Sequence, residues 1–273
     1  MKKSWAILFA VTFVATLIII VPFLPERAHT GATPSESMLS QQSTEVSLLF
    51  VGDIMLDRNV AVHAQKVGDE ALFAGVTNLI SGHDAVIGNL EGTITKNPSI
   101  AQKDHSILWF TFDPHFANVL ANVGFTAMSL ANNHSLDFGG KGYDDTITFL
   151  DTVGIAAFGS PYNNKHLAET FSIKDKNICL VGYHALFDPD TTLVLSKIKN
   201  IRAACDRIIV MTHWGVEYQH TPTQGQKDSA HAFIDAGADV VIGGHPHVVE
   251  PLEIYKNKDF CRLSHKKIMG KTK

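Results

Sequence analysis

The sequence predicts an α/β domain preceded by one transmembrane helix. Short apolar runs alternate with helix-like stretches from residue 45 onward, which is the pattern of sheets covered by helices. An N-terminal run at residues 5–24 contains no charged residue. Polar clusters follow several of the apolar runs directly. We therefore expect one domain at residues 45–256, with a ligand site at the carboxyl ends of its strands.

Nine apolar runs are predicted to be β-strands, with helices between several of them. The strand candidates are residues 46–51, 85–88, 125–130, 155–158, 171–173, 178–181, 207–211, 240–242 and 252–255. Asp113 and Pro114 are typical of a helix N-cap followed by proline at the first helical position. The helical spacing i, i+3, i+4, i+7 then occurs in Phe116, Val119, Leu120 and Val123, and again in Ala230, Phe233, Ile234 and Gly237.

The N-terminal run is long enough, at ~1.5 Å per residue, to cover a bilayer core as a helix. Lys2 and Lys3 precede it, and positive charge before a first span favours a cytoplasmic N-terminus. The run is longer than the apolar region of most cleaved signal peptides, so residues 1–25 are interpreted as an uncleaved signal anchor. Residues 26–44 are rich in Ser, Thr, Gly and Pro and are predicted to be a flexible tether. The expected location is a single-pass cell-membrane protein with its domain outside the cytoplasm.

The charges of the 273-residue chain are unevenly distributed around a formal net charge of −4. Basic residues dominate the positions after residue 255, so the body of the chain is acidic. An acidic body argues against nucleic acid as a partner, because phosphate contacts require a basic surface. Together with 14 histidines, it favours cation binding.

The three cysteines, Cys179, Cys205 and Cys261, are odd in number and widely spaced. They do not indicate a disulfide framework, and the lack of a Cys-x-x-Cys pair excludes a thiolate zinc site. Cys179 lies in an apolar run and is predicted to be a small core residue.

Five apolar strands stop at a cluster of Asp, Glu, Asn or His side chains. The clusters are Asp53, Asn89 with Glu91, Asn132, Asn133 and His134 with Asp137, His213 with Glu217, and His245 with His247. Each cluster alone has a structural explanation, since Asp and Asn are common in turns and a lone histidine is often a satisfied polar residue. Together they favour one shared site, because the carboxyl ends of strands in an α/β sheet lie along one edge.

The clusters offer carboxylates, amides and imidazoles, which suit Mn, Fe, Zn or Mg as the bound metal. They contain enough ligands for two divalent ions that would activate a water for phosphoester hydrolysis. His134, beside a ligand asparagine, is a candidate acid or electrostatic partner for the leaving oxygen. The sequence lacks the local patterns of serine hydrolases, P-loop proteins, dinucleotide-binding proteins and HExxH zinc proteases.

Five motifs, taken in this order, resemble the CapA family of poly-γ-glutamate capsule biosynthesis proteins. They are Val51-Gly52-Asp53-Ile54-Met55-Leu56-Asp57-Arg58, Gly88-Asn89-Leu90-Glu91, Ala131-Asn132-Asn133-His134, His213-Trp214-Gly215-Val216-Glu217 and Gly244-His245-Pro246-His247. That family is similar to the calcineurin-like metallophosphoesterases, so the resemblance implies a four-layer α/β/β/α sandwich with a dinuclear site. It also implies a membrane-anchored, extracytoplasmic component of the machinery that makes or exports poly-γ-glutamate.

The resemblance implies a role for each matching residue. It places metal ligands at Asp53, Glu91, Asn133, His213, His245 and His247, and the catalytic histidine at His134. Supporting positions are predicted at Asn89, Asp137 and Glu217. Two positions depart from the wider phosphoesterase pattern and weaken the expectation of activity. Met55 stands where a histidine ligand is expected, and Glu91 stands where a bridging aspartate is expected.

The C-terminal residues 257–273 are basic and aperiodic, where the family would continue into another strand. The expectation is a truncated C-terminal part with an uncovered sheet edge.

Three functions remain open from the sequence. The first is a CapA-like protein of capsule synthesis that contacts the membrane, the synthase components and the anionic polymer. The second is a stand-alone metal-dependent hydrolase of a phosphoester. The third is a non-catalytic scaffold or polymer-binding subunit of the synthase complex.

Overall fold

The computed structural model describes the backbone of residues 18–20 and 45–261 and the side chains of residues 45–257. Its strands, in chain order, are β1 (Ile18–Ile20), β2 (Ser47–Ile54), β3 (Ala85–Leu90), β4 (Thr93–Ile94), β5 (Thr111–Phe112), β6 (Ala127–Ser129), β7 (Ala156–Phe158), β8 (Ala168–Ile173), β9 (Lys176–His184), β10 (Arg207–His213), β11 (Val240–Gly244), β12 (Glu253–Tyr255) and β13 (Lys258–Cys261). Its α-helices are α1 (Asn59–Val67), α2 (Thr77–Ile80), α3 (His115–Val123), α4 (Gly139–Thr152), α5 (Thr192–Ile201) and α6 (Gln224–Ala236). Two short 3₁₀ helices lie at Asp69–Leu72 and Arg202–Ala204.

Two sheets of mainly parallel strands form the centre of the fold. In the first sheet the described strands run in the order β1-β2-β3-β6-β7, with only β1 antiparallel to its neighbour. In the second sheet the order is β12-β13-β11-β10-β9-β8, and β8 and β12 pair antiparallel with their neighbours. Helices lie in the connections between the parallel neighbours of these sheets, except between β11 and β13, whose connection contains β12.

Alternating side chains of each strand serve two different cores. Leu48 and Phe50 of β2 pack with residues such as Ile209 of β10 in a cluster between the two sheets. Leu49, between them in sequence, belongs instead to a cluster shared with α1, α3 and α4. A third cluster packs α5 and α6 against the outer face of the second sheet, for example through Val210. The layers therefore succeed one another as helices, sheet, sheet and helices.

The strand and helix predictions agree with the structure in most of the domain. Each of the nine predicted runs overlaps an observed strand. The predicted cap of α3 is present, since the Asp113 carboxylate accepts a hydrogen bond from the His115 amide at 3.0 Å. Gly237, counted in the apolar stripe of α6, lies just after the helix with φ 119°, where glycine ends it.

Three residues of the predicted transmembrane helix are described by the structure, and they are extended rather than helical. Ile18–Ile20 form β1, which pairs antiparallel with β2. Backbone pairing at the open edge of the first sheet accounts for this extended conformation. The other residues of the predicted anchor and the tether residues 26–44 lie outside the described residues. Among the helices that are described, none combines the length and apolar character needed to span a bilayer.

The second sheet continues past residue 256, where the sequence analysis placed the end of the domain. Residues Lys258–Cys261 form β13, which pairs with β11 on one side and with β12 on the other. The aperiodic composition concealed this strand because it is only four residues long. The remainder of the predicted basic tail lies outside the described residues.

Cys179 is not an isolated core cysteine, because it forms a disulfide with Cys205. Spacing in the sequence was misleading here. The β9-α5-β10 crossover brings Cys205 back beside the start of β9, with a Cα–Cα distance of 5.9 Å. Both cysteines are buried in the core under α5 and α6.

Removing this disulfide is expected to destabilise the fold. Cys179→Ser with Cys205→Ser should lower the free energy of unfolding by about 2–4 kcal/mol, because the bridge restricts the unfolded chain. Urea unfolding of the full chain, followed by circular dichroism, measures the difference. Addition of a reductant should destabilise the unaltered chain and leave the double variant unchanged. Equal stability of the oxidised and reduced chains would contradict the bridge.

Candidate metal centre

The carboxyl ends of strands from both sheets meet at one edge of the sandwich. β2 carries a register irregularity between Phe50 and Asp53, after which Asp53 lies opposite Asn89 of β3. In the second sheet His213, at the end of β10, lies opposite Gly244 at the end of β11. The structure thus brings together polar groups that are up to about 190 positions apart in the chain.

Asp53 is the buried carboxylate at the middle of this edge, with a residue exposure of 2%. It accepts a hydrogen bond from Asn89 Nδ2 at 2.8 Å, and its second oxygen lies 3.2 Å from His247 Nδ1. Burial raises the pKa of Asp53, but the interactions of its carboxylate with His247, His213 and Asn89 outweigh this effect. The pKa is therefore held well below its usual range, and Asp53 is ionised at neutral pH.

A network of side-chain amides holds the residues around Asp53. Asn132 Nδ2 donates to Asn89 Oδ1 at 3.0 Å and to the Leu90 carbonyl at 2.9 Å. Asn132 Oδ1 in turn accepts from the His134 amide at 3.0 Å. The sequence analysis placed Asn132 in a cluster without assigning it a role. Its position between two neighbouring strands makes it the residue that orients Asn89 and the loop of His134.

His213 and Asn133 form a second pair of candidate ligands. His213 Nε2 lies 2.8 Å from Asn133 Oδ1, and His213 Nδ1 lies 3.8 Å from Asp53 Oδ1. His213 is fully buried, and this burial lowers its pKa well below the ordinary value. A neutral imidazole is the form that binds a metal ion.

His245 and His247 lie in a strained turn after β11. Their φ angles are 90° and 55°, a region that residues other than glycine rarely adopt. Such strain is typical of functional sites, where the surrounding structure maintains it. Within the described residues, the buried Nδ1 of His245 has no hydrogen-bond partner.

Two groups of side chains at this edge are arranged to hold a cation. Ligand atoms of Asp53, Glu91 and His247 lie within 4.8 Å of one another, and so do those of Glu217, His245 and His247. Glu91 is buried, with a residue exposure of 1%. Ionised and neutral ligands of this kind match the preferences of divalent Mn, Fe, Zn or Mg. The residues present therefore fit a divalent metal.

His134 lies beside these groups and is oriented by Asp137. His134 Nδ1 is 2.8 Å from Asp137 Oδ2, which also accepts a hydrogen bond from the Phe110 amide at 2.7 Å. The His134 ring lies against the Phe110 ring, with 4.4 Å between centroids. Asp137 thus fixes the orientation of the His134 ring.

Met55 does not reach the centre. Its side chain is buried in the core beneath α1, and its sulfur accepts a hydrogen bond from the Asp57 amide at 3.2 Å. The position where a histidine ligand is expected therefore serves packing in this chain.

His184 is a residue of this edge that the sequence analysis missed. It ends β9 and lies opposite His213 in the register, with 5.9 Å between the two ring centroids. Its Nδ1 is 2.8 Å from the Pro161 carbonyl, and burial lowers its pKa to about 4. The sequence contained a pattern that could have predicted it, since the apolar run Val181-Gly182-Tyr183 is followed directly by His184, just as the β10 run is followed by His213.

The fold and this edge together define a class of protein. Two mainly parallel sheets carry a cluster of carboxylate, amide and imidazole side chains at their carboxyl edge. Residues 47–261 match the family of the bacterial capsule synthesis protein PGA_cap, and the chain belongs to that family. The resemblance to CapA proteins, expected from the five motifs, is confirmed.

Curated relatives agree with this membership. The PGA biosynthesis protein CapA of Bacillus subtilis (strain 168) is 28% identical over 256 residues, which cover 88% of this chain and 67% of the relative. The capsule biosynthesis protein CapA of Bacillus anthracis is 28% identical over 237 residues, covering 79% of this chain and 58% of the relative. The chain thus spans only part of the length of each relative.

Solved structures are similar in fold. A hypothetical protein from Thermus thermophilus has a TM-score of 0.52 and 17% identity, covering 78% of this chain and 74% of its own. A putative 5′-nucleotidase from Staphylococcus aureus, in complex with α-ketoglutarate, has a TM-score of 0.50 and 15% identity, covering 81% and 48%. At these identities the similarity concerns the fold alone.

Proposed function

We propose that this chain is a membrane-anchored, extracytoplasmic CapA-like protein of poly-γ-glutamate capsule synthesis or export, built around two divalent metal ions. The observation that carries the proposal is the largely buried set of carboxylate, amide and imidazole side chains at the carboxyl edge of the sheets. Family membership and the names of the Bacillus relatives support the capsule role. The proposed partners are the synthase components at the membrane and the anionic polymer.

Six residues would hold the two ions. They are Asp53, Glu91, Asn133, His213, His245 and His247. When bound, such ions polarise a phosphoryl oxygen and lower the pKa of a coordinated water. The acidic ligands supply negative charge at a site that must attract cations before it contacts a polyanion.

The chain's own residues would orient the substrate and move a proton. Asp137 accepts from His134 Nδ1 at 2.8 Å, so the imidazole is held in one orientation beside the ligands. In that position His134 would donate a proton or a hydrogen bond to the leaving oxygen of a phosphoester. Phe110, packed on the ring, restricts its motion and excludes water on one side.

An extracytoplasmic location is supported by two separate features. Residues 5–24 are uncharged and follow Lys2 and Lys3. The buried disulfide Cys179–Cys205 suits an oxidising compartment, since such bonds are rare in the cytosol.

The full chain, expressed in a capsule-forming bacterium, is expected in the membrane fraction after alkaline carbonate extraction, because an uncharged span resists this treatment. Immunoblotting of the fractions measures its distribution. A chain that starts at residue 45 provides the control and should be released. Full release of the complete chain would contradict the anchor.

The metal ligands are tested by removing the histidines of the turn after β11. His245→Ala with His247→Ala removes two of the six proposed ligands, so the metal content per chain after dialysis against Mn²⁺-containing buffer should fall at least tenfold. Elemental analysis of the purified chain measures this content. His63→Ala with His105→Ala, two exposed histidines outside the centre, is the matched control and should keep its metal. Unchanged metal content in the first variant would disprove the ligand assignment.

A stand-alone phosphoester hydrolase is the second candidate, and the His134–Asp137 pair favours it. A purely structural protein has no need of a histidine oriented in this way beside candidate metal ligands. A non-catalytic scaffold is the third candidate, and Met55 favours it because its buried side chain offers no ligand.

Measuring the hydrolysis of phosphoesters distinguishes the hydrolase from the two other candidates. If the chain is a hydrolase, His134→Ala should lower kcat for a phosphomonoester or phosphodiester by roughly 10²–10⁴-fold, with Mn²⁺ present and metal content unchanged. The reason is that His134 moves a proton and binds no metal. Release of phosphate or of a chromogenic alcohol measures the rate. A wild-type chain that retains its metal and hydrolyses none of these esters would contradict the hydrolase and favour an assembly role.

A further inference from the structure

The loop that follows β10 is fixed against the strained turn after β11. The Tyr218 amide donates to the Pro246 carbonyl at 2.7 Å, and the Trp214 amide donates to the Gly244 carbonyl at 3.3 Å. Gly215, with φ 86°, allows the chain to bend between these two bonds. A side chain there would collide with Gln226, since an added Cβ would lie 2.8 Å from its amide nitrogen. The loop and the turn therefore form one rigid unit.

Glu217 is the charged residue that this unit brings toward the histidines. Its Oε1 lies 3.9 Å from His247 Nε2. Ligand atoms of Glu217, His245 and His247 all lie within 4.8 Å of one another. Metal–ligand bonds of ~2.0–2.2 Å bring two ligand atoms of one ion within about 4.4 Å of each other, so small side-chain movements would suffice.

The two nitrogens of His247 face different carboxylates. Nδ1 lies 3.2 Å from Asp53 Oδ2, on the interior side, whereas Nε2 faces Glu217, whose side chain is 50% exposed. The neighbouring His245 contributes a buried Nδ1 that has no hydrogen-bond partner in the described part of the chain. An imidazole nitrogen in that state is suited to bind a cation. On the solvent side of the site, Glu217 is therefore a carboxylate that the six proposed residues leave unused.

We infer that Glu217 is itself a metal ligand, which binds one divalent cation together with His245 and His247. This inference rests on the proposed metal centre and adds a seventh ligand to it. Glu217 supplies a carboxylate oxygen at the outer side of the centre. Because the side chain is half exposed, it also lies where a substrate or a water would enter. An oxygen and two imidazoles suit Mn²⁺ or Zn²⁺.

The test is metal binding by the full chain carrying Glu217→Gln. This change keeps the size of the side chain and removes its charge, so Mn²⁺ binding to one of the two positions should weaken at least tenfold in isothermal titration. Visible absorption of the Co²⁺-substituted chain should also change, because the ligand set of one ion changes. Glu253→Gln is the matched control, since that carboxylate also pairs with an imidazole, at 2.6 Å from His231, but in β12. It should bind metal as the unaltered chain does.

The outcomes separate this inference from the proposed function. An unchanged titration and spectrum for Glu217→Gln, together with metal loss in the variant lacking His245 and His247, would overturn the role of Glu217 and leave the metal centre standing. A wild-type chain that binds no divalent metal would overturn both. Circular dichroism of the folded variants shows whether the substitution has disturbed the fold.

Discussion

The burial of the Asp53 carboxylate is the constraint on which the rest of the centre depends. An ionised carboxylate inside a protein costs several kcal/mol unless hydrogen bonds and opposite charge compensate it. Here Asn89 from the first sheet lies 2.8 Å away, and His247 from the second sheet lies 3.2 Å away. Satisfying this one charge therefore ties the carboxyl edges of the two sheets together. Asn132, which holds Asn89, extends the same network to the loop of His134.

The parallel arrangement of the strands determines which groups share the site. In the second sheet His184, His213 and Gly244 occupy one register across three neighbouring strands. The imidazoles of His184 and His213 therefore lie at adjacent strand ends, although α5 and the rest of the β9-α5-β10 crossover separate them in the chain. Met55 does not contribute to the centre, because the chain after Asp53 enters the core and the Met55 side chain packs there beneath α1. The composition of the centre is thus a consequence of sheet geometry as much as of the motifs.

The parts of the fold that follow from local patterns were predictable. Apolar runs of strand length and the Asp113–Pro114 cap depend on neighbours in the sequence, and the structure contains them. Features that depend on distant partners were missed or mispredicted. The two-residue strands β4 and β5 have no periodicity to detect. Ile18–Ile20 pair with β2 at the edge of the first sheet. The β9-α5-β10 crossover brings Cys205 close enough to Cys179 to form a disulfide.

The sequence by itself determined the class of the domain, the family and nearly all members of the polar cluster, because strand ends and motif residues are local features. Only the tertiary structure decided how these residues act on one another. In the folded chain Asp137 contacts His134 rather than the proposed metal ligands. The two nitrogens of His247 lie near different carboxylates, Nδ1 near Asp53 and Nε2 near Glu217. The physical reason is that hydrogen bonds and charge pairs form between side chains from separate strands. These side chains come within bonding distance of one another only when the two sheets pack together.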